Sequence, residues 1–139
     1  MKAGENLLMS DPFGTISYKG PGIFIVAGAG ITPFLSIFRQ LVLDRTIAEQ
    51  TLIFSNKTPA DIICEKELRY YLNSRCHLIC TRESGLGYEK GRIDRNYLEK
   101  TLSDTGHFAY ICGPDKFVED INIIVKDMGF SAESVVYEK

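Results

Sequence analysis

A glycine turn between an apolar run and a helical pattern is the stretch best suited to chemistry. The run Ile23 to Ala27 is unbroken and apolar, which predicts a strand covered on both faces. Gly28-Ala29-Gly30 follows at once. Thr32 can then cap a helix, and Pro33 suits its first position. A strand that enters a helix through glycines leaves backbone N–H groups at the helix start, where the dipole favours an anion, so this turn could hold a diphosphate.

Two features separate this turn from the common dinucleotide fingerprint. Pro33 stands where the third glycine is expected, and the next strand ends in Ser55-Asn56-Lys57 rather than in an acid that would bind a ribose. Glycines also occur in turns that bind no ligand, where they only allow the backbone conformation that the turn requires. By itself, the turn therefore leaves both a structural role and a nucleotide site open.

A second glycine–proline junction follows a later strand. His107 to Cys112 is apolar enough for a strand, and Gly113-Pro114-Asp115 leads from it into a helix that Gly129 ends. If the two strands are neighbours in a parallel sheet, both junctions lie at its carboxyl edge, where α/β folds bind ligands.

Strands and helices alternate along the rest of the chain. This alternation predicts a three-layer α/β/α, Rossmann-like fold with a parallel five-stranded sheet in the order 3-2-1-4-5. The five predicted strands are Ile23–Ala27, Gln50–Ser55, Cys76–Thr81, His107–Cys112 and Ser134–Tyr137. Predicted helices begin near Thr32, Thr58, Asp94 and Asp115, and Arg82 to Gly91 is predicted to be a loop.

Residues 1–19 differ from the rest in pattern. They contain two short strand-like pieces joined by the turn Ser10 to Gly14, which predicts a β-hairpin too small to fold alone. We therefore expect residues 1–19 to be the tail of an upstream domain or its linker, and residues 20–139 to be one α/β domain.

Composition excludes several classes of protein. With 45% hydrophobic and 24% charged residues, the chain is typical of a globular domain. A net charge of −2 gives no general attraction to nucleic acid or to an anionic membrane, and no apolar run is long enough to span one. The four cysteines lack paired CxxC spacing, which suits reduced thiols in a cytoplasmic protein. Neither they nor His77 and His107 have metal-ligand spacing, so no metal site is predicted.

With these motifs in place, the sequence resembles the pyridine-nucleotide half of the ferredoxin–NADP reductase superfamily. AGAGITPFLSIFRQL resembles that family's glycine–threonine–proline loop, YICGPDKFVEDINIIVKDMGF its cysteine–glycine–proline segment and final helix, and VVYEK its closing strand. GENLLMSDPFG resembles the last hairpin of the flavin-binding barrel that precedes this domain in the family. The resemblance covers essentially the whole chain.

The resemblance assigns residues to a bound NAD(P)H. It implies cofactor contacts at Gly28, Ala29, Gly30, Ile31, Thr32, Pro33, Thr81, Arg82, Cys112, Gly113, Pro114 and Phe117. Cys112 would face the nicotinamide ring, and Glu138 would be a second catalytic group near the flavin and nicotinamide. As an alternative, Cys112 is a buried core cysteine, the commonest position of a reduced thiol.

The family's flavin-binding residues have no counterpart in this sequence. FAD is therefore expected only through an upstream domain, and the chain is expected to be an excised domain or, as an alternative, one subunit of a two-chain reductase. The implied activity is hydride transfer from NAD(P)H to FAD, with electrons passing on to a ferredoxin, a flavodoxin or an oxygenase. The alternative is a non-catalytic module that senses a nucleotide or docks a protein.

The choice between NADH and NADPH depends on the adenosine end. Thr81-Arg82 matches a polar–arginine pair of the family, and Arg82 could pair with a 2′-phosphate. A lysine–tyrosine pair that assists in the family is replaced by Glu89-Lys90-Gly91-Arg92, and these charges are otherwise ordinary solvated loop residues. The sequence leaves the choice open, and we favour NADH.

Overall fold

The computed structural model describes residues 17–82, 85–102 and 107–138. Within these residues, six strands form one sheet in the order β4-β3-β2-β1-β5-β6, and every neighbouring pair is parallel. The strands are β1 (Gly22–Ala27), β2 (Thr51–Asn56), β3 (Cys76–Cys80), β4 (Glu89–Lys90), β5 (Phe108–Cys112) and β6 (Val135–Glu138).

Helices cover both faces of the sheet, which confirms the predicted three-layer α/β/α fold. They are α1 (Thr32–Leu43), α2 (Glu65–Leu72), α3 (Arg95–Thr101) and α4 (Asp115–Met128). Apolar residues of α1 and α2 pack in one core cluster with alternate residues of β1, β2 and β5. Those of α3 and α4 form a second cluster with the intervening strand residues.

β1 is the central strand, and its side chains fill both clusters. Ile23 and Ile25 face α3 and α4, whereas Phe24 and Val26 face α1 and α2. Phe24 stacks on Tyr110 of β5 with ring centroids 4.4 Å apart. The unbroken apolar run therefore reflects burial on two faces, as predicted.

The prediction of five strands was wrong by one. The five predicted strands occur in the predicted order, but β4 lies within the stretch predicted to be a loop and extends the sheet beyond β3. Both residues of β4 are charged and exposed, so no apolar pattern marks them. Only the pairing of Glu89 and Lys90 with Ile79 and Cys80 identifies the strand.

Two predicted helix starts also differ from the structure. Thr32 is the first residue of α1 rather than its cap, because a 3-10 turn over Gly28–Ile31 precedes the helix and the Thr32 N–H donates to the Ala29 carbonyl. Thr58 caps a separate 3-10 turn over Pro59–Asp61, and α2 begins only at Glu65. In both cases a 3-10 turn lies before the helix, but only the second turn uses the predicted capping residue.

Other local predictions are confirmed. The side chain of Asp94 accepts a hydrogen bond from the Tyr97 N–H at the start of α3, and Gly129 ends α4 with a φ of 118°. The predicted hairpin falls in residues 1–16, outside the described residues. No helix in the described part of the chain has the length and apolar character to cross a membrane.

The segment that leads into β1 is fixed at the amino ends of the strands. The buried Tyr110 hydroxyl accepts hydrogen bonds from the N–H groups of Lys19 and Gly20, at 2.9 and 3.0 Å, and donates to the Gly20 carbonyl at 2.7 Å. Gln50 accepts from the Gly22 N–H and donates to the Tyr18 hydroxyl. The chain therefore enters the domain at the edge opposite to the two glycine junctions.

Candidate functional site

The two glycine junctions meet at one edge of the sheet. β1 and β5 are neighbours, with Val26 opposite Cys112, so Gly28–Ile31 and Gly113–Pro114 leave adjacent strands at their carboxyl ends. This confirms the placement that the sequence predicts. Strand order reverses at β1, since β2 follows on one side and β5 on the other, and such a point forms a crevice in α/β sheets.

Gly30 allows the two junctions to touch. A Cβ atom at Gly30 would lie 2.7 Å from the Cys112 carbonyl oxygen and 3.0 Å from the Gly113 nitrogen. Both are backbone atoms, so they cannot move aside as a flexible side chain would. Gly113 is also crowded, although by side chains, since its Cβ would lie 2.8 Å from Phe117 and 3.2 Å from Ala27. The glycines on the two loops therefore set the separation of these loops.

Gly28 has a different role. Its φ is +57°, a left-handed conformation that L side chains rarely adopt, whereas a Cβ at this position would meet nothing within 4 Å. Gly28 thus turns the chain at the end of β1 and leaves open space on its outer side. That space is part of a cleft of about 680 Å³ at the carboxyl edge.

Half of the predicted cofactor-binding residues line this cleft. They are Gly28, Ala29, Gly30, Thr81, Gly113 and Pro114. The structure therefore brings the first glycine turn, the end of β3 and the second junction together around one space, although they are far apart in sequence.

The other predicted residues do not line the cleft. Ile31 is fully buried in the core, Thr32 and Pro33 form the first turn of α1, and Phe117 packs beneath Gly113. Arg82 is exposed just beyond Thr81, and its N–H donates to the Lys57 carbonyl at 2.9 Å.

The predicted catalytic pair lies on adjacent strands. Cys112 ends β5, with 8% of its surface exposed, and packs in the cluster beneath α1. In the pairing of β5 with β6, Glu138 is directly opposite Cys112. Their backbones are therefore neighbours at the same edge as the cleft.

Sequence reasoning missed the contribution of β2 and the turn that follows it. Ser55, Asn56, Lys57, Asp61 and Ile63 also line the cleft. Asn56 is 7% exposed, and its Nδ2 has no hydrogen-bond partner in the described structure. The available signal was the position of these residues at the carboxyl end of the strand next to β1.

The charges around the cleft suit an anion next to α1. Neither the 3-10 turn nor the first turn of α1 contains an acidic residue, so no carboxylate competes for the N–H groups there. Lys57 is exposed on the rim. The carboxylate of Asp61 accepts hydrogen bonds from the Thr58 N–H and hydroxyl, at 3.2 and 3.0 Å. In the described residues, no group of three or more His, Cys, Asp or Glu is placed to hold a metal ion.

These features fit a dinucleotide. The open side of Gly28 gives access to the backbone, the start of α1 carries no acid, and the cleft runs from the end of β3 to the second junction. A diphosphate next to Gly28–Gly30 would leave the end near Thr81 for one nucleoside and the end near Gly113 for the other.

Comparisons with known proteins point the same way. The sequence profile of the oxidoreductase NAD-binding domain family matches residues 24–122. The chain is 29% identical over 133 residues to the NADH oxidoreductase HCR of Escherichia coli, covering 93% of this chain and 40% of that protein. It is 26% identical over 143 residues to the glycine betaine monooxygenase reductase subunit of Chromohalobacter salexigens, covering 94% of this chain and 39% of that protein.

A solved structure shares the fold. The flavohem-like FAD/NAD-binding domain of nitric oxide dioxygenase from Vibrio cholerae superposes with a TM-score of 0.80 at 19% identity, covering 90% of this chain and 54% of that one. This chain therefore spans about two fifths of the two related sequences and about half of the related structure.

Proposed function

This chain belongs to the oxidoreductase NAD-binding domain family, and from that premise we propose that it is the NAD(P)H-binding domain of a flavin-dependent reductase. The reductase would transfer hydride from NAD(P)H to FAD and pass electrons on to another protein. One observation carries the proposal. The two loops that would hold the cofactor touch at Gly30 and Cys112, and they border a cleft of suitable size at the strand-order reversal.

In this proposal the chain's residues position the cofactor. Bound NAD(P)H would supply the hydride, and the protein would orient the nicotinamide towards a flavin held by another domain. The backbone of Gly28, Ala29 and Gly30 would bind the diphosphate, and Thr81 would border the adenosine end. Gly113 and Pro114 would form the floor under the nicotinamide.

Cys112 and Glu138 are the proposed catalytic residues. A small, polarisable thiol at the end of β5 would let the nicotinamide ring approach closely. Support comes from the adjacency of the two residues in the β5–β6 pairing and from the 8% of Cys112 that is exposed. In the alternative role, Cys112 is a buried core residue only.

The flavin and the acceptor lie outside this chain in our proposal. Residues 1–19 would end an upstream FAD-binding domain, and residues 20–139 form the nucleotide-binding domain. The acceptor would be a ferredoxin, a flavodoxin or an oxygenase. The relative from Chromohalobacter salexigens is the reductase subunit of a monooxygenase, which supports the oxygenase. We also propose NADH as the preferred cofactor and the cytoplasm as the location, as the sequence suggests.

A binding titration tests the proposal. We expect the 139-residue chain to bind NADH and ADP-ribose through the cleft, which calorimetry would detect. Gly28→Ala places a methyl group on the open side of the glycine turn and should weaken both ligands, whereas Gly85→Ala, at an exposed position with nothing within 4 Å, should weaken neither. Failure of the unmodified chain to bind either ligand at millimolar concentration would contradict the proposal.

The same fold could instead serve as a non-catalytic nucleotide sensor or docking module. The coding sequence before Met1 separates the sensor from a single-chain reductase, because the latter needs a flavin-binding domain there. Rapid mixing of that longer protein with NADH should bleach the flavin absorbance. A longer protein that binds NADH but carries no flavin would favour the sensor.

A further inference from the structure

Described residues of the loop that follows β3 form several backbone hydrogen bonds with the sheet. Its first residues extend the sheet, since the Thr81 N–H donates to the Asn56 carbonyl and the Arg82 N–H to the Lys57 carbonyl, both at 2.9 Å. At its far end the Gly91 N–H donates to the Cys80 carbonyl at 3.1 Å. Thr81 lines the cleft, so the position of this loop affects the shape of the proposed adenosine end.

A second set of contacts fixes residues 87 and 88 to α2. Arg69 donates to the Glu65 carboxylate and to the Gly87 carbonyl, each at 2.9 Å, and its guanidinium lies 5.1 Å from the centroid of the Tyr88 ring. The Tyr88 hydroxyl donates to the same Glu65 oxygen at 2.6 Å. We call Glu65, Arg69 and Tyr88 the α2 latch.

Apart from Tyr88, the segment that the α2 latch holds contributes little to the core. Gly85 and Gly87 are exposed, and Leu86 between them is fully exposed, whereas Tyr88 packs against the cluster that contains α2. A glycine-rich turn of this kind gains little from burial and is ordinarily among the least stable parts of a domain. The hydrogen bond to Glu65 raises the pKa of Tyr88, which is the direction expected for a hydroxyl that donates to a carboxylate. The latch therefore orders a turn whose residues 85–87 add little packing of their own.

We propose that Glu65 and Arg69 are positioning residues for the adenosine end of the cofactor. By fixing Gly87 and Tyr88 on α2, they restrain the loop whose first residue, Thr81, borders that end of the cleft. The proposal rests on the proposed NAD(P)H-binding function, and the ligand part that it concerns is the adenosine diphosphate portion. Neither Glu65 nor Arg69 needs to touch the nucleotide.

The chain contains a matched set of contacts that serves as a control. Arg39 of α1 donates to both carboxylate oxygens of Glu67, at 2.7 and 2.9 Å, and the Tyr71 hydroxyl donates to Glu67 at 2.6 Å. This set has the same three residue types, and its glutamate also lies on α2. However, it joins α2 to α1, and none of its three hydrogen bonds in the described structure reaches the loop.

The experiment compares two pairs of variants of the 139-residue chain. Arg69→Met and Tyr88→Phe release the α2 latch, and Arg39→Met and Tyr71→Phe release the control set. Calorimetry with ADP-ribose and with NADH gives dissociation constants, and urea unfolding gives the stability of each variant. Hydrogen exchange of the Leu86 to Tyr88 amides reports whether the loop has been freed.

We expect the dissociation constant for ADP-ribose to rise about fivefold in both latch variants, because a loop released from a charge-assisted hydrogen bond must be ordered again on binding. The control variants should lose similar stability yet bind as the unmodified chain does. Arg69→Lys keeps the charge but cannot bind Glu65 and Gly87 with one planar fork, so it should fall between Arg69→Met and the unmodified chain.

Three results would overturn the inference. The first is unchanged ADP-ribose binding in Tyr88→Phe, a mild substitution that keeps the ring and the fold. The second is equal weakening in the latch and control variants, which would indicate a general effect of stability. The third is that the unmodified chain binds neither ADP-ribose nor NADH. This result would reject the proposed function as well, which distinguishes it from the other two.

Discussion

Replacing Gly30 with alanine tests the contact on which the cleft depends. The new Cβ would lie 2.7 Å from the Cys112 carbonyl oxygen and 2.8 Å from its carbon, closer than real Cβ atoms approach. The first glycine turn and the second junction would have to separate. Since both obstacles are backbone atoms, the shift must spread into β1, β5 or the start of α1.

The expected magnitude follows from two opposing effects. Overpacking of this kind costs about 1–3 kcal/mol. Alanine restricts the unfolded chain more than glycine does, which offsets about 0.4–1 kcal/mol. The net loss is therefore at most about 2.6 kcal/mol, and at about 4 °C per kcal/mol for a chain of this length the Tm should fall by up to about 10 °C.

Thermal unfolding followed by circular dichroism measures this loss, and NADH titration measures the effect on the site. We expect the NADH dissociation constant to rise about tenfold, which corresponds to about 1.4 kcal/mol. Gly85→Ala is the control, because its Cβ would meet nothing within 4 Å and its φ is not positive. It should be neutral or slightly stabilising.

A second pair of variants distinguishes the two reasons for a glycine, which are a lack of space for a side chain and a left-handed backbone conformation. At Gly28 the φ of +57° is the constraint rather than crowding. Asparagine, which tolerates this region better than alanine, should therefore preserve more stability at that position. At Gly30 asparagine should be at least as harmful as alanine. If Gly30→Ala matched Gly85→Ala in both Tm and NADH affinity, the two loops would not meet as described.

Three further predictions concern other parts of the molecule. In the complete enzyme, Cys112→Ala should slow flavin reduction in rapid-mixing experiments and leave ADP-ribose binding nearly unchanged; unchanged reduction with weakened binding would contradict the proposed role. Tyr110→Phe leaves two backbone N–H groups of residues 19–20 without their acceptor, so urea unfolding should show a loss of about 1–3 kcal/mol, with faster hydrogen exchange in that segment. The Arg39 guanidinium lowers the pKa of Glu67 from 4.5 to about 2, so the stability from this contact is present above pH 4.5 and is lost as the pH falls towards 2. Urea titrations across this range should show a shallower loss of stability in Arg39→Met, and an equally steep loss would contradict the assignment.

The sequence predicted the fold well where burial imposes a pattern. Two patterns were enough to place five strands in their observed order. They are the apolar run Ile23–Ala27, which is covered on both faces, and the alternation of strands and helices. β4 could not be predicted in the same way. It consists of two exposed residues, Glu89 and Lys90. It forms because their backbones pair with the outer edge of β3.

The candidate site was predictable where a residue type is tied to backbone geometry. Glycines and prolines marked both loops, because few other residues tolerate these turns. The part of the cleft formed by Asn56, Lys57 and Asp61 has no such signal, since these residue types are common on any surface. Only the folded structure shows that these residues lie beside the glycine turn. The same is true of the α2 latch, in which Tyr88 binds Glu65, 23 positions away in sequence.

The two junctions contribute unequally to anion binding, although both lead from a strand into a helix. α1 begins without an acidic residue, whereas α4 begins with Asp115 directly after Pro114. A carboxylate in the first turn already interacts with the helix dipole and repels a second anion.

The diphosphate of a dinucleotide is thus favoured at the first junction. The second junction forms an uncharged wall of Gly113 and Pro114. In the proposed function, this inequality would give the cofactor a direction: its phosphates would lie against α1, and its reactive ring would point towards the end of β5. Replacing Asp115 with asparagine should therefore change NADH affinity little, whereas an aspartate introduced at Thr32 should weaken it strongly.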